Sequence, residues 1–91
     1  MSVIRAAFLV KNKLGLHARA AAKLTQVASR FPCEIVVANG GQSVNAKSVM
    51  GLLLLCGAKG TELSVEAAGE RAEDAVRAIG ELIENRFGEE E

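Results

Sequence analysis

Residues 61–67 read Thr-Glu-Leu-Ser-Val-Glu-Ala, and this segment has the clearest strand pattern in the chain. Its apolar positions are Leu63, Val65 and Ala67, and a polar residue precedes each of them. Strict alternation of apolar and polar residues indicates a half-buried β-strand, because successive side chains of a strand point to opposite faces. We therefore take this segment as a strand of a sheet and examine what flanks it.

Three further strands are predicted before this segment. Residues 3–10 and 33–38 are rich in β-branched and apolar side chains, which is typical of strands. Residues 39–41, Asn-Gly-Gly, form a tight-turn signal. The chain is therefore expected to return through residues 42–45 as the second strand of a hairpin.

Three helices are predicted between and after the strands. An alanine-rich segment from Ala18 has one apolar stripe at helical spacing, which includes Ala20. It ends at Pro32, since proline disfavours helical geometry in the preceding residue. Ser48 precedes an apolar run whose length fits either a short helix or a buried strand. We favour a helix with Ser48 as its N-cap. Gly69 is expected to open the last helix, which has acidic residues near its start.

The predicted order β-α-β-β-α-β-α indicates an α+β fold. Each helix has a single apolar stripe, so helices on one face of a sheet fit better than a doubly wound fold. The first β-α-β unit requires a right-handed crossover, which leaves a gap that a later antiparallel strand can fill. We predict an open-faced β-sandwich, a four-stranded antiparallel sheet with three helices on one face. It forms one domain over residues 1–88, followed by a short acidic tail, residues 89–91, that we expect to be solvated.

The charges are distributed unevenly between the two parts of the chain. The 91 residues contain eleven Lys and Arg and eleven Asp and Glu, for a net charge of zero. Residues 1–59 contain eight bases and one acid, a net charge of +7, and residues 60–91 contain three bases and ten acids, a net charge of −7. Such asymmetry indicates an interaction site in one part.

Several classes of protein are disfavoured by composition. The longest apolar runs, such as Leu52–Cys56, are far shorter than the roughly 18 residues of a membrane span, so we expect no membrane insertion. The first residues lack the layout of a signal peptide, which predicts a cytoplasmic protein with reduced thiols at Cys33 and Cys56. One histidine and two scattered cysteines do not match zinc-ligand spacing, so no metal is expected. With no Trp or Tyr, an aromatic platform for nucleic acid is not expected.

The single histidine, His17, lies where the first loop meets the first helix. A histidine at a surface turn is most often only a tolerated polar residue, so its surroundings decide the interpretation. Unpaired backbone N–H groups at a helix start favour an anion, and Arg19 can reach a phosphate or carboxylate oxygen. An imidazole nucleophile beside this cradle can accept a phosphoryl group. Because no second catalytic group is nearby in the sequence, we expect a carrier whose catalysis partner proteins supply, rather than an independent enzyme.

Three segments together resemble a known family. Residues 15–19, Gly-Leu-His-Ala-Arg, are similar to the active-site motif of the HPr family, the histidine-containing phosphocarriers of the bacterial phosphotransferase system. Residues 47–52, Lys-Ser-Val-Met-Gly-Leu, resemble its regulatory-serine segment, and residues 58–63 resemble its glycine turn into a strand. The resemblance covers essentially the whole chain and has the same order of elements.

The resemblance implies a role for His17 and its neighbours. His17 is expected to accept a phosphoryl group on Nδ1 from phosphorylated Enzyme I, which phosphoenolpyruvate charges, and to pass it to an EIIA-type protein in sugar transport. Arg19 is expected to stabilise the phosphoryl group, and no cofactor is implied. Together with Lys23 and Lys47, these residues are expected to form a basic face that attracts acidic partners.

The resemblance also implies regulatory and docking residues. Ser48 matches the serine that a dedicated kinase (HPr kinase/phosphorylase) phosphorylates in many bacteria; a plain N-cap is the alternative interpretation. Partner docking is expected to involve the residues Val49, Met50, Leu53, Lys23 and Ala20.

Two positions depart from the usual family pattern. Ala20 replaces the usual proline after the arginine, which is expected to loosen the site slightly because proline pre-organises a first helical turn. Leu14 stands where sugar-system members often have a small polar residue, and this resembles the nitrogen-related NPr branch. Three alternatives stay open: an NPr-type regulatory carrier, an HPr-like binding module that acts by docking to partner proteins with transfer secondary, and a nucleic-acid-binding protein. The basic first part favours the last of these, but the missing aromatic residues disfavour it.

Overall fold

Four strands form one antiparallel sheet in a computed structural model of the chain, which describes residues 3–91. The sheet order is β1-β4-β2-β3, and β4 pairs antiparallel with both β1 and β2. This places β4 in the gap predicted between the two strands of the first crossover. Met1 and Ser2, which belong to the predicted domain, lie outside the described residues. The strands are β1 (Val3–Leu9), β2 (Glu34–Asn39), β3 (Gln42–Asn45) and β4 (Glu62–Ala68).

The alternation that predicted β4 matches its burial. Leu63, Val65 and Ala67 are fully buried, whereas the polar residues between them are exposed or half-buried. In the strand register, Val65 lies opposite Ala6 of β1 and Val37 of β2. Cross-strand rows of this kind join the strands on the core face of the sheet.

The three predicted helices cover this core face. α1 (Ala18–Ala28) packs against α2 (Val49–Leu54) and α3 (Ala72–Glu84), and α3 also packs against β1 and β4. The largest fully buried side chains of the helical layer include Leu24, Leu52, Ile79 and Ile83. Apolar burial of this kind drives folding, so the predicted fold class, an open-faced sheet with helices on one face, is confirmed.

Some predicted boundaries and exposures differ from the structure. α3 begins at Ala72 rather than at Gly69, because Gly69 and Arg71 have φ values of +119° and +64°, which are not helical. α1 ends at Ala28, before the predicted stop at Pro32. Cys33 is buried and Cys56 is exposed, and both thiols are free. Among residues 3–91, no helix has the length and apolar character needed to cross a membrane.

Candidate functional site

His17 is the N-cap residue of α1. Its backbone is extended (φ −88°, ψ −179°), and its carbonyl oxygen accepts a hydrogen bond of 2.8 Å from the Ala21 N–H. Its Nδ1 accepts a hydrogen bond of 3.3 Å from the Arg19 N–H. The imidazole thus takes the place that Ser, Thr, Asp or Asn usually fills at a helix start. The side chain remains 27% exposed, and its Nδ1 lies at the positive end of α1.

The loop before His17 is held tightly against a neighbouring segment. Gly15 has a φ of +66°, and the Leu16 N–H donates to the Gly57 carbonyl at 2.8 Å. A Cβ added at Gly15 would lie 2.4 Å from the Gly57 oxygen and 2.9 Å from the Ala58 Cα. Only glycine therefore fits this position without a backbone shift. The loop presents His17 from a fixed backbone.

A buried amide links this loop to the end of the chain. Asn12 is fully buried, and its Nδ2 donates to the Gly15 carbonyl and to Oε1 of Glu89, each at 2.8 Å. Only the nitrogen end of the amide can donate to two oxygen acceptors, so the contacts fix its orientation. Asn12 Oδ1 has no hydrogen-bond partner within residues 3–91.

The first residue of the acidic tail, Glu89, contacts the histidine, whereas Glu90 and Glu91 are exposed. Oε2 of Glu89 is in hydrogen-bond contact with Nε2 of His17, and the Glu89 side chain is only 17% exposed. The hydrogen bond from His17, followed by that from Asn12, holds the pKa of Glu89 below its ordinary value of 4.5. The expectation of a solvated tail is therefore wrong for Glu89, because two donors stabilise its carboxylate.

The basic and acidic parts of the chain meet at this site. The cavity around His17 is lined by Lys13, Leu14, Ala18 and Arg19 and by the three tail glutamates. Beside it, a second cavity places Lys11, Lys59 and Arg86 around Glu90 and Glu91. The carboxylates of the tail therefore lie at the predicted basic face. The net charges of residues 1–59 and 60–91, counted separately, did not indicate this arrangement. Arg19 is exposed in the first cavity and forms no salt bridge within the described part of the chain.

Two lysines expected near a transferred phosphate have structural partners. Lys47 Nζ donates to the carbonyls of Phe31 and Cys33, at 2.8 and 3.0 Å. Lys23 Nζ donates to the Phe87 carbonyl at 2.7 Å. The ammonium of Lys47 therefore binds carbonyls in the turn after α1, and Lys47 does not line the cavity around His17. This corrects the expectation that Lys47 belongs to the basic face.

The expected docking residues differ in exposure. Met50 is 73% exposed and Leu53 is 36% exposed, whereas Val49 is half-buried. Ala20 is fully buried on the apolar stripe of α1, so it offers no side-chain surface to a partner and does not belong to this group. Sequence reasoning missed Leu54, which is 69% exposed. Its position four residues after Met50, on the same face of a helix, was the available signal.

Ser48 is the N-cap of α2, as the sequence predicted. Its Oγ accepts a hydrogen bond of 3.1 Å from the Gly51 N–H, and its backbone is extended (φ −119°, ψ 111°). The hydroxyl therefore already has a structural role at the start of this six-residue helix.

Comparison with known proteins agrees with this geometry. Residues 4–85 match the family model of the PTS HPr component phosphorylation site. The phosphocarrier protein HPr of Xylella fastidiosa (strain 9a5c) is 49% identical over 82 residues, which cover 90% of this chain and 92% of that protein. The phosphocarrier protein NPr of Shewanella violacea is 44% identical over 78 residues, or 86% of each protein. The crystal structure of HPr-C-His from Thermoanaerobacter tengcongensis has a TM-score of 0.92 and 42% identity, covering 97% of this chain and 99% of that chain. The chain belongs to the HPr family, the phosphocarrier proteins of the phosphotransferase system.

Proposed function

We propose that His17 accepts a phosphoryl group from phospho-Enzyme I and passes it to an EIIA-type protein of the sugar phosphotransferase system. One observation carries this proposal: Nδ1 of a partly exposed imidazole accepts the first-turn N–H of Arg19 at the start of α1. A phosphoryl group on this nitrogen meets the positive end of the helix and the guanidinium of Arg19.

The transfer step uses the lone pair of Nδ1. Nδ1 bonds to phosphorus while the bond between phosphorus and the donor atom of Enzyme I breaks, and its electron pair returns to the donor. The ring keeps its proton on Nε2 and gains a positive charge. The N–H groups at the start of α1 and the Arg19 guanidinium disperse the negative charge of the phosphoryl oxygens. The reverse sequence delivers the group to the EIIA-type protein, and the partners supply the remaining catalytic groups.

Docking of both partners is assigned to the exposed apolar face of α2, formed by Met50, Leu53 and Leu54. α2 packs directly against α1, whose first residue follows His17. Exposed apolar side chains on a helix that packs against α1 support a protein–protein contact, because covering them removes apolar surface from water. Val49 contributes a half-buried edge to this face.

Regulation through Ser48 is a second part of the proposal. A phosphate on its Oγ adds roughly −1.5 to −2 charges at the start of α2, where the helix tolerates it. The same charge lies next to Met50, inside the proposed docking face, and repels an acidic partner. A kinase of the HPr kinase/phosphorylase type is the partner that this role requires.

A nitrogen-related regulatory carrier is the second candidate function. Leu14 is 68% exposed and lines the cavity around His17, so an apolar side chain replaces a polar one close to the phosphoryl group. The 44% identity with an NPr protein supports the same branch. The two candidates share the chemistry at His17 and differ in the protein that receives the phosphoryl group, so transfer to sugar-specific or nitrogen-related EIIA proteins separates them.

Incubation with Enzyme I and radiolabelled phosphoenolpyruvate tests the proposed function. We expect one acid-labile phosphate per chain, its loss in His17→Ala, and a slower reaction in Arg19→Ala. Arg77→Ala is the matched control, because Arg77 is an exposed helical arginine on α3 that faces Glu73. An acid-stable product, or labelling that survives His17→Ala, contradicts the proposal.

A further inference from the structure

We propose that Glu89 is a positioning residue for phosphoryl acceptance, and that its carboxylate keeps the ring proton of His17 on Nε2 so that the lone pair stays on Nδ1. This inference rests on the proposed function, because it concerns which nitrogen of His17 reacts. It assigns a role to the acidic tail that composition and local pattern did not indicate.

The hydrogen-bond partners on both sides of the ring require the same tautomer. A carboxylate can only accept hydrogen bonds, so Nε2 must donate to Glu89 Oε2. On the other side, the Arg19 N–H can only donate, so Nδ1 must accept. A neutral imidazole has one donor and one acceptor nitrogen, and the two contacts together select the form with the proton on Nε2.

The carboxylate itself is held in place from behind. Asn12, fully buried and bonded to the Gly15 carbonyl, donates to the other oxygen of Glu89. The hydrogen bonds from His17 and Asn12 keep the pKa of Glu89 below its ordinary value, so the group is an anion at neutral pH. The buried Asn12 side chain therefore fixes the position of the Glu89 carboxylate, and this carboxylate contacts the ring of His17.

The tautomer matters because the other form cannot react at Nδ1. With the proton on Nδ1, this nitrogen has no lone pair in the ring plane to bond to phosphorus. When Nδ1 does form that bond, the ring becomes positive and retains its Nε2–H. Glu89 contacts the other ring nitrogen, Nε2, so its negative charge then lies beside the new positive charge of the ring.

Glu89→Gln is the most informative variant, because the Asn12 amide dictates how the new side chain turns. Asn12 Nδ2 needs an acceptor, so the oxygen of the introduced amide faces Asn12 and its NH₂ group faces His17. This NH₂ donates toward Nε2 and competes with the Arg19 N–H for the single acceptor nitrogen of the ring, so part of the population has the ring proton on Nδ1. Glu90→Gln is the matched control, since Glu90 lines the same cavity but makes no hydrogen bond to the ring.

Nitrogen-15 NMR of the His17 ring, at a pH of about 8.5 where an ordinary imidazole is neutral, measures the tautomer directly. We expect the proton on Nε2 in the wild type and in Glu90→Gln, and an increased Nδ1–H form in Glu89→Gln. The rate of phosphoryl acceptance from phospho-Enzyme I is expected to fall about fivefold in Glu89→Gln, the factor of one ordinary hydrogen bond. Amide spectra of both variants establish that the fold is retained.

Two results overturn the inference. An identical distribution of the ring proton in the wild type and Glu89→Gln shows that Glu89 does not select the tautomer. Faster phosphoryl acceptance in Glu89→Ala shows that the tail obstructs the site rather than orienting it. Failure of the proposed function is distinct, because it appears as absent labelling of His17 in the wild type whatever the NMR tautomer is.

Discussion

Replacement of Gly15 by alanine is expected to disturb the backbone that presents His17. Gly15 has a φ of +66°, a conformation that costs an alanine roughly 1–2 kcal/mol. The new Cβ also lies 2.4 Å from the Gly57 carbonyl oxygen, which is a backbone atom and cannot turn away like the end of a side chain. Forcing an atom into such a site costs typically about 1–3 kcal/mol. The two effects together predict a loss of roughly 3 kcal/mol in the free energy of unfolding.

Gly40 supplies a matched control for this variant. Its φ is +61°, close to that of Gly15, but a Cβ at Gly40 meets no atom of residues 3–91 within 4 Å. Gly40→Ala therefore carries the backbone cost alone, roughly 1–2 kcal/mol. The difference between the two variants isolates the contact with Gly57.

Urea unfolding followed by far-ultraviolet circular dichroism measures both variants, since the chain has no Trp or Tyr to report by fluorescence. The rate of phosphoryl acceptance is measured in parallel. We expect Gly15→Ala to be less stable than Gly40→Ala by about 2 kcal/mol and to accept the phosphoryl group more slowly. Equal stabilities, within about 0.5 kcal/mol, refute the steric reasoning. An unchanged rate refutes the view that the loop positions His17.

The remaining predictions concern the docking face, Lys47 and the tail. Met50→Glu is expected to weaken binding to both Enzyme I and EIIA, measured by calorimetry, with stability changed by less than about 0.5 kcal/mol; unchanged affinity for both partners contradicts the docking face. Lys47→Met removes the donor to two carbonyls and is expected to lower the free energy of unfolding in urea by about 1–2 kcal/mol without slowing phosphoryl acceptance. A slower acceptance contradicts a purely structural role of Lys47. Because the pKa of Glu89 is lowered on folding, its carboxylate stabilises the folded chain above pH 4.5 and this contribution is lost below it. The stability difference between wild type and Glu89→Ala should shrink below that pH, and a difference that stays constant there excludes the contact.

The sequence predicted the features that depend on local pattern. Alternation identified β4, the Asn-Gly-Gly turn identified the hairpin, and the serine before an apolar run identified the start of α2. The crossover rule added one long-range feature, a gap between β1 and β2 that a later antiparallel strand can fill, and in the structure β4 is that strand. His17 was identified because its surroundings, a helix start and Arg19, are adjacent in the sequence.

The remaining features depend on contacts between distant residues. Glu89 and His17 are 72 positions apart, and no periodicity connects them. Lys47 was counted as a site residue from its charge, although its ammonium binds carbonyls near the end of α1. Ala20 shows a conflict between two signals: helical spacing placed it on the buried stripe, whereas the resemblance suggested a docking role. Burial decided the conflict.

The cap of α1 and the proposed phosphoryl acceptor are the same atom, Nδ1 of His17. Once Nδ1 is bonded to phosphorus it can no longer accept the Arg19 N–H, and oxygens with a negative charge take its place at that amide. The first turn of α1 therefore gains a stronger, charged acceptor each time the carrier is loaded and returns to the imidazole each time it is emptied. We therefore expect the proton resonance and the solvent exchange of the Arg19 amide to differ between the phosphorylated and the unphosphorylated carrier. Both measurements then report the phosphorylated fraction of the protein without any label on phosphorus.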